Sequence, residues 1–143
     1  MGRETKKIDA KGRFILSSKL CESMGKELVV TNSLDSGYLC VYTPESYEKI
    51  KNQIKRFDGF RKQVRILERA IISEHQDVTV DSQGRVSISS ELWDNIDAKP
   101  GCEICLFPLD DRIDICTKDH YDKEEHDLSA IEGLESLYSA AGL

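Results

Sequence analysis

Two arginines stand out by their setting. Arg13 follows Asp9-Ala10-Lys11-Gly12 and Arg85 follows Asp81-Ser82-Gln83-Gly84, so each comes directly after a glycine and four residues after an aspartate. The surrounding stretches, Ile8 to Leu20 and Val80 to Leu92, repeat Asp, Gly, Arg, two serines and a final Leu at a constant offset of 72 residues. An aspartate opens a turn because its carboxylate accepts from backbone N–H groups two residues on. A glycine supplies a positive φ at no steric cost. The arginine is then anchored at a bend, and a guanidinium projected outward suits phosphate oxygens or the O6/N7 edge of guanine. The alternative is that Asp and Arg pair with each other inside the turn. The flanking residues, Ile8 or Val80 before the turn and Phe14/Leu16 or Val86/Ile88 after it, alternate as strands do. Each segment therefore reads as a hairpin, the first over about 8–16.

These segments need elements to hold them. Ser17 or Ser18 can cap a short helix through Met24 that Gly25 ends. Strands follow at 28–31 and 38–42, separated by the turn Leu34-Asp35-Ser36-Gly37. Thr43-Pro44-Glu45 starts a helix, expected to run to about Phe57, with Tyr47, Ile50 and Ile54 on one stripe. Asp58-Gly59 breaks it. A second helix is expected over about 60–73 with Phe60, Val64, Leu67 and Ile71 inward. Together the two helices display Lys49, Lys51, Lys55, Arg56, Arg61, Lys62, Arg65 and Arg69. The order then recurs: a short helix to about Ile96, the turn Lys99-Pro100-Gly101, strands at 103–107 and 112–116, and a helix after Thr117. Thr43 and Thr117 are 74 apart, as are Tyr47 and Tyr121, so two extra residues are placed near Pro100. Residues 1–7 read as a polar lead-in. In the last stretch Leu128, Ile131 and Leu134 could form a docking helix.

At 143 residues the chain is one domain, or two small halves around one core. A unit of about 45 residues buries too little alone, so the copies are expected to wrap around each other in a small barrel-like sheet with pseudo-twofold symmetry, both Arg-bearing turns on one face. Net charge is −6 and unevenly spread: residues 1–72 hold 15 Lys+Arg against 9 Asp+Glu, and 73–143 hold 5 against 17. Nucleic-acid binding depends on the local patch, and the basic half could face phosphate. The charged N-terminus and the lack of a long apolar run lead us to expect a cytosolic protein with no membrane segment.

Other chemistry finds little support. The five cysteines are odd in number and expected as free thiols. Cys102-Glu103-Ile104-Cys105 lies in a strand-like run, where a separation of three puts the sulfurs on opposite faces. His75, His120 and His126 have no ligand spacing. No metal, cofactor or small-molecule substrate is therefore expected. No nucleophile–base pair or phosphate loop stands out either, so the chain is not read as an enzyme.

On the two Asp-x-x-Gly-Arg turns, on Leu34-Asp35-Ser36-Gly37-Tyr38-Leu39-Cys40-Val41-Tyr42 leading into Tyr47-Glu48-Lys49-Ile50, and on Asp111-Arg112-Ile113-Asp114-Ile115, the chain resembles the MraZ family of bacterial transcription regulators. The resemblance spans roughly residues 8–122. It implies an α+β fold with a mostly β core, a double-psi or swapped-hairpin AbrB-like barrel formed by two pseudo-symmetric halves with connecting helices. The parts would be 1–46 (first half), 47–75 (basic helical pair), 76–121 (second half) and 122–143 (acidic tail). It implies a nucleoid-associated homo-oligomeric ring on double-stranded DNA, at promoter repeats of cell-division and cell-wall genes. DNA contact falls to Arg13 and Arg85 with Lys11 and Gln83, while Asp9, Gly12, Asp81 and Gly84 shape the turns. Where the family has Pro after the Gly-Arg strand, this chain has Ser17 and Ser89. An AbrB-like antidote or scaffold holding a protein partner is the competing reading, motivated by the acidic C-terminal half.

Overall fold

The computed structural model describes residues 2–143. The first repeat forms β1 (Glu4–Lys7), β2 (Arg13–Ile15), α1 (Ser18–Met24), β3 (Glu27–Asn32), β4 (Tyr38–Tyr42) and α2 (Pro44–Lys55). After α3 (Lys62–Glu68), which runs on into a π-helical turn over Arg69–Ser73, the second repeat follows. It forms β5 (Gln76–Thr79), β6 (Arg85–Ser87), α4 (Ser90–Asn95), β7 (Glu103–Pro108), β8 (Arg112–Thr117) and α5 (Lys118–Lys123). A 3-10 turn at Leu128–Ala130 and α6 (Leu134–Ala141) end the chain. The starts of α1, α2, α4 and α5 fall where side-chain hydroxyls accept from free amides. Ser17 accepts from the Leu20 amide at 3.4 Å and Ser89 from the Leu92 amide at 3.3 Å. Thr43 and Thr117 do the same for α2 and α5, at 3.1 and 3.0 Å. Ser17 and Ser89 thus serve as caps.

The strands form a mostly antiparallel α+β architecture: a six-stranded sheet in the order β1-β7-β8-β4-β3-β5 and a two-stranded ribbon, β2-β6. The expected hairpins over 8–16 and its repeat do not form. β1 leaves its own repeat to pair with β7, and β5 pairs with β3, while β2 and β6 pair with each other. Alternation told which residues are strand but not which strand each would meet. It also missed β1, because Glu4-Thr5-Lys6-Lys7 carries no apolar residue and, at a sheet edge, is held by backbone pairing to β7.

Register shows the symmetry directly. Phe14 lies opposite its own equivalent Val86 in the ribbon, and Cys40 lies opposite Asp114, its equivalent 74 residues on, where β4 meets β8. A pseudo-twofold axis passes through both pairs. The offset itself is corrected. Val29 pairs with Tyr42 and Cys105 with Cys116, so β3 and β7 are 76 apart while β4 and β8 are 74 apart. Four residues enter before β7 and two leave the β7–β8 turn; the spacing of Thr43 and Thr117 shows only their sum.

One core spans both repeats and is built from equivalent pairs. Ile8 and Val80, Leu16 and Ile88, Leu20 and Leu92, Leu39 and Ile113, and Val41 and Ile115 all belong to it. α2 covers the opposite face of the sheet through Tyr47 and Ile50, against Val29, Cys40 and Tyr42. Val64 and Ile71 are buried as expected, but Phe60 is 94% exposed because the helix starts only at Lys62. Leu128, Ile131 and Leu134 do not share a helix: the first lies in the 3-10 turn and only Leu134 is in α6. All five cysteines are free; Cys102 packs on the main core, whereas Cys105 pairs with Cys116 in the sheet.

Candidate nucleic-acid interface

Each turn is closed by its aspartate. Asp9 Oδ1 accepts from the amides of Lys11 and Arg13, both at 2.9 Å, and Oδ2 accepts from Arg13 Nε at 2.8 Å. Asp81 repeats this with Gln83 and Arg85, at 2.9, 2.9 and 2.7 Å. Both carboxyls are held below the ordinary value of 3.8, chiefly by the amides of Arg13 and Arg85. The in-turn ion pair of the alternative reading therefore exists. It uses Nε alone, and among the described residues neither Arg13 nor Arg85 donates from its two terminal nitrogens to the protein. The aspartate fixes the guanidinium while its outer edge stays available for a planar anion or a guanine edge.

The glycines lock the turns to one another. Gly12 and Gly84 sit at φ 77° and 78°. The Gly84 carbonyl accepts from the Leu16 amide at 2.8 Å and the Gly12 carbonyl from the Ile88 amide at 3.3 Å, extending the ribbon into each turn. Gly12 also accepts from Trp93 Nε1 at 2.9 Å. A Cβ on Gly12 would lie 3.3 Å from the Ile88 carbonyl oxygen and 3.4 Å from Trp93 Nε1. Trp93 has no counterpart in the first repeat, where Cys21 stands at its place, so the first turn is the more firmly braced.

The ribbon decides where the arginines go. Residues directly opposite in an antiparallel pair share a face. Arg13 is opposite Ser87 and Arg85 is opposite Ile15, so both arginines share one face, while Phe14 and Val86 point into the core. The turns lie at opposite ends of the ribbon, and strand geometry puts the two Cα atoms about 8 Å apart. The shared face is open, with Ile15 55% exposed between the arginines and Ser87 exposed. The arginine side chains are 24% and 31% exposed, lower than a fully outward projection would give, because the aspartates draw them back along the turns. Lys11 and Gln83 are exposed at the two tips.

Two lysines had no motif to mark them. Lys99 lines a groove of about 380 Å³ with Ala10, Lys11 and Gly12, and Lys26 lines one of about 560 Å³ with Ser82, Gln83 and Gly84. Each comes from the segment after the opposite repeat's short helix, so only the strand exchange places it beside a turn. Glu22 and Asp94, equivalent residues, line the same grooves and temper their positive charge. Among the described residues no group of three His, Cys, Asp or Glu side chains is arranged to hold a metal.

The depressed carboxyl values carry a stability consequence. A carboxylate whose folded value lies below its unfolded one contributes stability above the unfolded value, which is lost as pH falls through the folded one. Asp9 and Asp81 should therefore make the turns acid-labile below about pH 4. Asp9→Asn with Asp81→Asn is expected to lose less stability than the parent chain between pH 4 and pH 2 in chemical denaturation. Parallel curves over that range would show that the carboxylates do not hold the turns.

Comparison with known proteins places the chain in a family. The family model described as "MraZ protein, putative antitoxin-like" matches residues 1–70. A protein of Lachnoclostridium phytofermentans named "Transcriptional regulator MraZ" is 35% identical over 127 residues, 89% of this chain and 87% of the relative. Proteins of the same name from Thermoanaerobacter sp. and Caldanaerobacter subterraneus subsp. tengcongensis are 30% and 29% identical. Each alignment covers 96% of this chain, with 95% and 92% of the relatives.

Proposed function

This chain belongs to the MraZ family, and we propose that it is a sequence-specific DNA-binding transcriptional regulator that holds duplex DNA on the β2–β6 ribbon. The observation that carries the reading is the pair of Asp-braced arginines on one exposed face, set by the register of that ribbon. The relatives are named as regulators and not as enzymes. A two-stranded ribbon is one of the shapes the major groove admits. Arg13 and Arg85 contact phosphate or guanine through their free edges. Lys11 supplies cationic contact at one tip, and Gln83 offers an amide that can pair with adenine N6/N7 at the other. Asp9 and Asp81 do not touch DNA, since a carboxylate facing phosphate repels it; they aim the arginines. The fold is read as the swapped-hairpin AbrB-like barrel of two halves, on the strand exchange described above. The target is read as promoter repeats of a cell-division and cell-wall gene cluster, bound by a homo-oligomer whose weak sites combine through effective concentration.

Selection of bound duplexes from a random pool tests this. A short word repeated at regular spacing is expected, with binding that weakens steeply as salt rises. A pool with no enriched word would overturn sequence-specific binding. The competing reading, an antidote holding a protein partner, draws on the acidic tail and on the family description. A toxin-like protein co-purifying in stoichiometric amount would favour it.

A further inference from the structure

The connection between α2 and α3 holds a phenyl ring out in solvent. Phe60 is 94% exposed, so no neighbour lies over it. Its backbone is nevertheless tied down. The Phe60 amide donates to Asp58 Oδ1 at 3.0 Å, and the Arg61 amide donates to the Asp58 carbonyl at 3.1 Å. Arg65 reaches back from α3, and its Nη1 donates to the Gly59 and Phe60 carbonyls at 3.2 and 2.7 Å. These polar groups are satisfied within the chain. An apolar ring carried on such a backbone can enter an apolar medium without taking unmade hydrogen bonds along.

α3 extends this surface. Val64 turns inward, while Lys62, Ile66 and Arg69 recur at i, i+4 and i+7 on the opposite stripe. All three are exposed, Ile66 by 50%. Arg56 and Arg61 flank the connection and are exposed as well. Among the described residues none of Arg56, Arg61, Lys62 and Arg69 pairs with a carboxylate. Residues 55–69 hold six Lys+Arg against two Asp+Glu, in a chain whose net charge is −6. The patch is thus opposite in sign to the molecule that carries it. Its composition is wrong for the core of a protein–protein contact, where lysine is depleted and apolar area is contiguous. Isolated apolar anchors among long cationic side chains are the make-up of a segment that lies in a lipid interface.

We propose that the α2–α3 connection and the outer stripe of α3 dock on an anionic bilayer surface. Phe60 and Ile66 enter the boundary between headgroups and acyl chains, and Arg56, Arg61, Lys62 and Arg69 meet lipid phosphates. The attachment is peripheral, since no described helix is long and apolar enough to cross a membrane. α2 covers the face of the sheet away from the main core, whereas Phe14 and Val86 of the ribbon belong to that core. A chain attached in this way keeps Arg13 and Arg85 on its other side. The inference does not rest on the DNA-binding reading, and its vesicle test is made without DNA.

Sedimentation of the full chain with lipid vesicles decides it. The chain is expected to sediment with vesicles of equimolar phosphatidylglycerol and phosphatidylcholine and to stay in solution with phosphatidylcholine alone. Binding should weaken as salt rises. Phe60→Ser with Ile66→Ser is expected to lower partitioning roughly ten-fold or more. Arg61→Gln with Lys62→Gln is expected to lower it about 30-fold. All four positions are exposed, and an unchanged circular dichroism spectrum checks the fold. Both variants should bind the selected duplex as the parent does. No binding to the anionic vesicles, equal binding to phosphatidylcholine alone, or variants that sediment like the parent would overturn the proposal. So would a folded variant that loses the duplex, because it assigns this surface to nucleic acid.

Discussion

Arg13→Ala combined with Arg85→Ala is expected to abolish specific binding to the selected duplex while leaving the protomer folded. Each arginine is fixed by its aspartate and offers two free nitrogens on the shared ribbon face. A good bidentate arginine contact is worth about 1–3 kcal/mol. Losing both should cost about 2–6 kcal/mol per protomer, or roughly 30-fold and upward in affinity. Oligomeric binding multiplies the effect, since every protomer on the DNA loses the same contacts. Folding should hardly change, because the Asp carboxylates keep their backbone donors, the amides at positions 11, 13, 83 and 85. A titration by fluorescence anisotropy, with circular dichroism as the control for folding, checks it. A folded double variant that binds as the parent does would remove the arginines from the interface.

Phe14→Ala should be the most damaging single substitution in the ribbon. Phe14 is buried on the pseudo-twofold axis opposite Val86 and meets Trp93 edge-on, with ring centroids 6.1 Å apart. Deleting a buried phenyl ring costs about 3–5 kcal/mol. For a chain of this size that is roughly 10–20 °C in Tm. The loss reaches function, because Phe14 and Val86 keep the inner face of the ribbon down and the arginines on the outer one. Calorimetry at neutral pH measures it. A loss under about 1 kcal/mol would mean that the ribbon is held by its backbone pairing and not by this contact.

Much of this was readable in the residues. The double Asp-x-x-Gly-Arg pattern located both turns, and the bonding of Asp9 and Asp81 to amides two residues on follows from aspartate chemistry. Ser17 or Ser18, Thr43 and Thr117 mark helix starts, the first settled as Ser17 by the structure, and Tyr38–Tyr42 reads as a strand at its true limits. Partnership was not readable. A period of two says that Phe14 faces inward, but it is equally satisfied by a local hairpin and by pairing with Val86. β1 was hidden because edge pairing asks nothing of Glu4–Lys7 beyond backbone groups. Phe60 misled because its spacing continues the stripe of Val64 and Ile71, while the chain at Asp58–Arg61 is still in a turn. Lys26 and Lys99 reach the turns only through the strand exchange, so no local pattern could single them out.

The central claim is that DNA lies on the ribbon face and not along the basic helices, and the two sites can be told apart arginine by arginine. Labelling with phenylglyoxal, which modifies accessible guanidinium groups, can be read by mass spectrometry with and without the selected duplex. Arg13 and Arg85 are expected to be protected by DNA, while Arg56 and Arg61, which flank the α2–α3 connection, and Arg65 in α3 keep their reactivity. Equal labelling of Arg13 and Arg85 in both states, with protection confined to Arg56, Arg61 and Arg65, would contradict the account.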